Sequence, residues 1–273
     1  MVPLAHFWTF LTLESRVFWQ NDGSGIQQRP DFWDVIANKV DVYRSEIKGF
    51  SDHGITLRDR TAIPIDVLFC ATGWDSSLKF LDQSESARLG LPVPVEREDK
   101  IVSEHWKQLE QHSRSAVLQR FPRLADPPPH FLRPALSTPY RLYKAIAPLN
   151  DSSIVLLGHI QVGNNFGAAE VQALWATAYL DGRIAMPSKE NKEQEIAETN
   201  AWCRLRYLDK GQSGTFFYFD QVHYMDMLLA DLCLKSHKAK GIKGIFRPVL
   251  AQDLKGLVDE YIQKGRTVKI GSS

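Results

Sequence analysis

Two apolar runs interrupt an otherwise mixed chain. Val67-Leu-Phe-Cys-Ala71 is unbroken and closes on Thr72-Gly73; Ile154-Val-Leu-Leu157 is unbroken and closes on Gly158. A short run without polar alternation, ended by Gly, reads as a strand buried on both faces, as in a parallel sheet covered by helices. A plain core strand with a Gly turn has the same pattern. In open parallel sheets ligands sit at the carboxyl ends of the strands, which puts Thr72 and Gly73 at such an end. The fold class expected is therefore α/β.

The remaining pattern is mostly helical. Val171, Leu174, Trp175 and Ala178 fall on one face at i, i+3, i+4, i+7, and Gly182 suits the C-terminal cap of that helix. Trp106, Leu109, Val117, Leu118 and Phe121 predict an amphipathic helix that ends at Pro122. Residues 1–38 read as helical, broken by the turn-forming segment Asn21 to Gly25. Residues 39–65 read as an antiparallel meander. One strand starts at Val40, Val42 and Tyr43 and runs toward Ile47; Asp52-His53-Gly54 turns the chain; Ile55 to Leu57 form a second strand. Residues 187–273 read as helices, one around Trp202 and one over Tyr224 to Leu232, whose Met and Leu stripe is core. Residues 268–273 read as a frayed end.

Composition narrows the class without naming a function. The chain has 273 residues, 44% apolar and 24% charged, with a formal net charge of +1. That is an ordinary globular balance with no general attraction to nucleic acid. The basic run from Lys235 to Arg247 reads as a solvated face. Cys70, Cys203 and Cys233 are odd in number and lack metal spacing. Cys70, inside an apolar run, reads as a buried free thiol, and the set fits a reducing, cytoplasmic location. The N-terminal apolar stretch is too short for a membrane span and lacks a basic leader. There is no G-x-S-x-G elbow, H-E-x-x-H pair or Walker loop in the sequence.

One segment carries candidate chemistry. Ile154 to Leu157, the linker His159 to Gly167 and the helix beyond it make a strand–loop–helix unit. A helix start offers unpaired N–H groups and a positive dipole end to an anion or a polarised carbonyl. Gln161, Asn164 and Asn165 bring side-chain amides to the same loop; equally, Asn and Gly are common loop residues. His159 reads first as a hydrogen-bonded structural histidine and second as a ligand contact.

Ala71-Thr-Gly-Trp74, entered from a meander, resembles the ATG segment of class B flavin-dependent monooxygenases, the two-dinucleotide-domain family that includes the flavin-containing and Baeyer–Villiger types. Ser153-Ile-Val-Leu-Leu-Gly-His-Ile-Gln161 with Ala169-Glu-Val-Gln-Ala-Leu-Trp175 resembles, more specifically, the part of those enzymes that closes on the flavin. The resemblance implies a Rossmann-like architecture incomplete at the N-terminus. Residues 1–75 would be the end of an NADPH domain and residues 76–273 the later part of an FAD domain with a helical tail. It implies FAD, NADPH and a small organic substrate, typically in secondary metabolism. It implies that Gly158, His159, Ile160 and Gln161 line the flavin and that Thr72 and Gly73 lie near the domain junction. It assigns no catalytic side chain and no metal.

FAD and NADPH pyrophosphates each call for a G-x-G-x-x-G turn after a strand, and the chain has none. Buried parallel strands without neighbours would also expose unpaired edges. Three arrangements meet both points: a longer gene product, a homo-oligomer or complementing chain that supplies the missing half, or an inactive remnant that serves only in interactions.

Overall fold

The computed structural model describes residues 19, 31–71, 78, 80–129, 134–208, 210–236 and 251–270. The chain divides into two compact units, one of residues 1–13 and 25–80, the other of residues 14–24 and 81–273.

In the first unit, helix α1 (Phe32–Lys39) precedes three antiparallel strands, β1 (Ile47–Ser51), β2 (Gly54–Leu57) and β3 (Ala62–Pro64), paired in the order β1-β2-β3. Asp52 and His53 form the two-residue turn, since Ser51 pairs with Gly54. The first strand begins at Ile47; Val40, Val42 and Tyr43 are exposed and outside the ladder. A third strand follows a tight turn in which Asp59 Oδ1 accepts from the Thr61 N–H at 2.9 Å.

The apolar run after this sheet is not a buried strand. Val67 is 65% and Phe69 89% exposed, Cys70 is an exposed rather than a buried thiol, and residues 67–71 join no ladder. The reason is topological. A parallel strand exists only through neighbours that take up its N–H and C=O groups. The meander ends at Pro64, which has no N–H to donate, and no described segment supplies a parallel partner.

The second unit is largely helical: α2 (Gln83–Arg88), α3 (Lys100–Arg120), a small hairpin of β4 (Leu142–Tyr143) and β5 (Ala147–Pro148), then α4 (Asn165–Leu180), α5 (Lys189–Arg206), α6 (Gln221–Asp231) and α7 (Leu257–Ile270). Side chains punctuate these helices. Asp99 Oδ1 accepts from the Ile101 and Val102 N–H groups at the start of α3, and Ser188 Oγ accepts from Asn191 N–H at the start of α5. Each such cap is worth about 1 kcal/mol. The third helix stops at Phe121 before Pro122, as its pattern predicts. At the end of α4 the Gly182 N–H reaches Tyr179 O and the Arg183 N–H reaches Ala178 O, with Gly182 at φ +64°. This is a Schellman cap, which needs a left-handed residue where Gly182 stands.

The core of this unit forms where α4 meets α6 and where α3 lies along α5. Val171, Leu174, Trp175 and Ala178 are all buried, so the predicted face of α4 is the inner one. Burying a side chain such as Val171 or Leu228 stabilises by about 1.5–3 kcal/mol. A smaller cluster of Trp19, Leu124, Leu205 and Leu208 packs under Val117 and Leu118 of α3.

The second apolar run is also not a strand. Residues 154–157 join no ladder among the described residues; Leu156 N–H donates to Ile146 O at 2.9 Å, and Ile154 and Leu157 are exposed. The cause is again the lack of a strand on either side. The final helix runs through residues 268–270, which the sequence suggested were frayed. Of the basic side chains from Lys235 to Arg247, only Lys235 lies among the described residues.

Candidate functional site

The loop from Gly158 to Asn164 is fixed at three points. Gln161 bridges to the segment around Phe216: its N–H donates to Thr215 O and its C=O accepts from Phe217 N–H, both at 2.9 Å. Ile160 and Val162, on either side, are buried in the core. Asn164 N–H donates to Gln221 Oε1 at 2.7 Å, and Asn164 Oδ1 caps α4 by accepting from Gly167 N–H at 3.3 Å.

Gly158 is held differently. It takes φ +80°, a conformation that side-chain-bearing residues rarely adopt, and a Cβ added there would meet no atom within 4 Å. The backbone is therefore bare on that side. Its N–H donates to Gln172 Oε1 at 3.3 Å. Gln172 is a buried amide on the apolar face of α4, and its Nε2 donates to Tyr224 Oη at 2.7 Å. Tyr224 in turn donates to Lys144 O at 2.9 Å. A line of hydrogen bonds thus runs from the open loop through the core to the β4–β5 turn, where Lys144 and Ala145 both take φ +56°. Burial raises the Tyr224 hydroxyl far above the ordinary phenol range, so it stays a donor.

His159 lies half-buried against Tyr140, with ring centroids 5.2 Å apart. Among the described residues it has no hydrogen-bond partner, which departs from the bonded structural histidine that the sequence favoured. Burial lowers its pKa, keeping the imidazole neutral near neutral pH. Tyr140 is fixed by its backbone: its N–H donates to Ser213 O at 3.0 Å, and its C=O accepts from Asn200 Nδ2 at 3.3 Å. Lys144 Nζ lies 2.8 Å from Glu195 Oε1. Desolvation first, then the Glu195 charge, pushes the Tyr143 phenol well above its usual range.

The structure thus brings Gly158, His159, Ile160 and Gln161 together with the start of α4. Thr72 and Gly73 lie outside the described residues. Sequence reasoning missed Gln172, Tyr224, Lys144 and Tyr140. For Gln172 a signal was present, an amide in the middle of an apolar helix face. Tyr224 is masked by its Met and Leu neighbours, and nothing local marks Lys144.

The arrangement fits one end of a flavin better than the other. An open backbone at Gly158, neutral polar groups and the exposed first turn of α4, with Asn165 and Phe166 at the surface, suit a flat ring with carbonyl edges. For the pyrophosphate, the sequence offers no G-x-G-x-x-G spacing. Among the described residues no cluster of His, Cys, Asp and Glu could hold a metal ion.

Comparison with known proteins points the same way. A family model described as flavin-binding monooxygenase-like matches residues 132–241, which include the whole of this loop and α4. The FAD-dependent monooxygenase rstn6 of Aspergillus nomiae is 31% identical over 264 residues, covering 92% of this chain and 45% of that protein. The FAD-dependent monooxygenase resA of Aspergillus sclerotiorum is 31% identical over 90% of this chain and 44% of its own length. The FAD-dependent monooxygenase DEP4 of Fusarium langsethiae gives the same identity and the same two shares. The chain spans less than half the length of these curated relatives. The loop, its helix and these relatives thus agree on residues 132–241, the part of the chain that matches the flavin-binding monooxygenase-like family.

Proposed function

We propose that the chain forms the flavin-ring side of an FAD- and NADPH-dependent monooxygenase-type oxidoreductase acting on a small organic molecule, with secondary metabolism as its setting. In this reading the fold is part of a two-dinucleotide-domain, Rossmann-like architecture. Residues 1–75 belong to the NADPH side, with Thr72 and Gly73 near the junction, and residues 76–273 belong to the FAD side. The observation that carries the reading is the Gly158 loop, open above its backbone and tied through Gln172 to the core.

Bound FAD would supply the oxygen chemistry. The chain's own groups have simpler tasks. Gly158 leaves room for a flat ring to approach its backbone. Ile160 and Val162 keep water from the floor of the loop. The first N–H groups of α4 stabilise negative charge at a nearby carbonyl edge. Neutral His159 and Tyr140 form a wall that adds no charge.

One observation favours a second reading, a non-enzymatic remnant or interaction protein. The G-x-G-x-x-G spacing of a phosphate-gripping loop is absent from the sequence, and neither apolar run that would fill a parallel sheet joins a ladder among the described residues. No helix among the described residues is long and apolar enough to cross a membrane, so neither reading is built on a membrane anchor.

The test is the visible absorption spectrum of the purified 273-residue chain before and after FAD is added, with NADPH oxidation followed alongside. A bound-flavin spectrum that weakens in Gly158→Val, with NADPH consumption, supports the enzyme reading. A folded, colourless protein that takes up no FAD would mean that this chain by itself is no monooxygenase, and the next step is to look for a missing half upstream in the gene or in a partner chain.

A further inference from the structure

We propose that a groove between α3 and α5, sharing no residue with the Gly158 loop, binds a small organic carboxylate with a flat apolar body. The groove has a volume of about 390 Å³, within the range of small-molecule sites. Its lining includes Trp106, Lys107, Arg114, Arg141 and Arg204, together with Glu98 and Glu110.

The charges do not balance. Glu98 is taken up by an ion pair with Arg141, and Glu110 by one with Arg204. Two cations remain. Among the described residues Lys107 has only Glu104, at 3.7 Å and well exposed. Arg114 has no acidic partner among the described residues. Lys107, Gln111 and Arg114 stand at i, i+4, i+7 on α3, so the surplus charge and a side-chain amide share one face. A concave wall of one sign concentrates potential and draws in an anion.

The donors are also in surplus. Both part-buried ion pairs use Nη1, and among the described residues the enclosed Nε–H groups of Arg141 and Arg204 have no acceptor. The Arg141 guanidinium, paired with Glu98, also lies 4.8 Å from the Trp106 ring centroid, which holds it in place beside the groove. Val95, Pro139 and Ala201 complete an apolar side wall. Cations and apolar atoms in one lining fit an organic acid better than a bare inorganic ion.

The inference does not depend on flavin binding, and its test needs none. The full chain is titrated calorimetrically with 2-naphthoate, with the uncharged 2-naphthamide, and with inorganic phosphate as a competitor. The expected result is naphthoate binding with Kd below about 1 mM and naphthamide at least about tenfold weaker. Arg114→Ala, an exposed position that leaves the core intact, is expected to weaken naphthoate about tenfold while leaving naphthamide unchanged. Arg114→Lys should recover part of the loss. Equal affinity for acid and amide, no naphthoate binding, or an Arg114→Ala variant that binds as the parent does would each overturn the proposal. Displacement of naphthoate by equimolar phosphate would overturn the apolar part of it.

Discussion

Gln172 donates to Tyr224 at 2.7 Å across 52 residues of sequence, and both side chains are buried. With Trp175 Nε1, which donates to Asp231 Oδ2 at 2.8 Å, this bond joins α4 to α6 by polar atoms in a largely apolar core. It also sets the position of Gln172 Oε1, which holds the Gly158 N–H. Removing the hydroxyl in Tyr224→Phe keeps the ring stacked on Phe217 but strands the Gln172 amide and the Lys144 carbonyl. The expected loss is about 1–3 kcal/mol, the cost of leaving buried polar groups unpaired. Urea unfolding monitored by tryptophan fluorescence checks it. An unchanged midpoint would show that the line of bonds contributes nothing to stability.

The three thiols are predicted to separate by reactivity. Cys203 is fully buried, its Sγ lies 3.5 Å from Phe216 O, and burial pushes its pKa up to about 12. Cys70 and Cys233 are exposed. Alkylation proceeds through the thiolate and requires access. Iodoacetamide should therefore label Cys70 and Cys233 in the native protein and reach Cys203 only after denaturation. Peptide mass spectrometry reads the sites, and native labelling of Cys203 would contradict the packing of α5.

His159 gives a pH dependence of known sign. Burial lowers its pKa below the ordinary 6.5, so the unfolded chain gains a proton here at a higher pH than the folded one. Its contribution is complete above the unfolded pKa and is lost as pH falls from there, levelling off below the folded pKa. His159→Phe should flatten that part of the stability profile. Urea titrations of both proteins between about pH 5 and pH 8 make the comparison, alongside the imidazole proton shift of His159. A folded pKa above 6.5 would reverse the slope and the argument.

The parts legible in the sequence are those whose pattern and packing are set over a few turns. Val171, Leu174, Trp175 and Ala178 mark α4 because helical periodicity is local, and Gly182 marks its end because the cap needs φ above zero. Phe121-Pro122 likewise gives the end of α3. The two apolar runs failed for the complementary reason. An apolar run specifies what a segment avoids, not what pairs with it, and a strand is a property of two segments. The site divides along the same line. Gly158 to Gln161 lie together in sequence and in space. Tyr224 and Lys144 are 80 residues apart, and only the folded core brings them together.

The exposed run around Phe69 has a bearing on how the chain handles itself at high concentration. Val67, Leu68, Phe69 and Cys70 are an uncharged, β-prone strip that joins no ladder among the described residues. Two copies that zip together in parallel register would place their Cys70 residues about 5 Å apart, within the reach of a disulfide. Oxygen would then convert a reversible encounter into a covalent one. The fraction of dimer on a non-reducing gel would act as a tally of past collisions. A Cys70→Ser protein would erase that tally while still sticking and releasing.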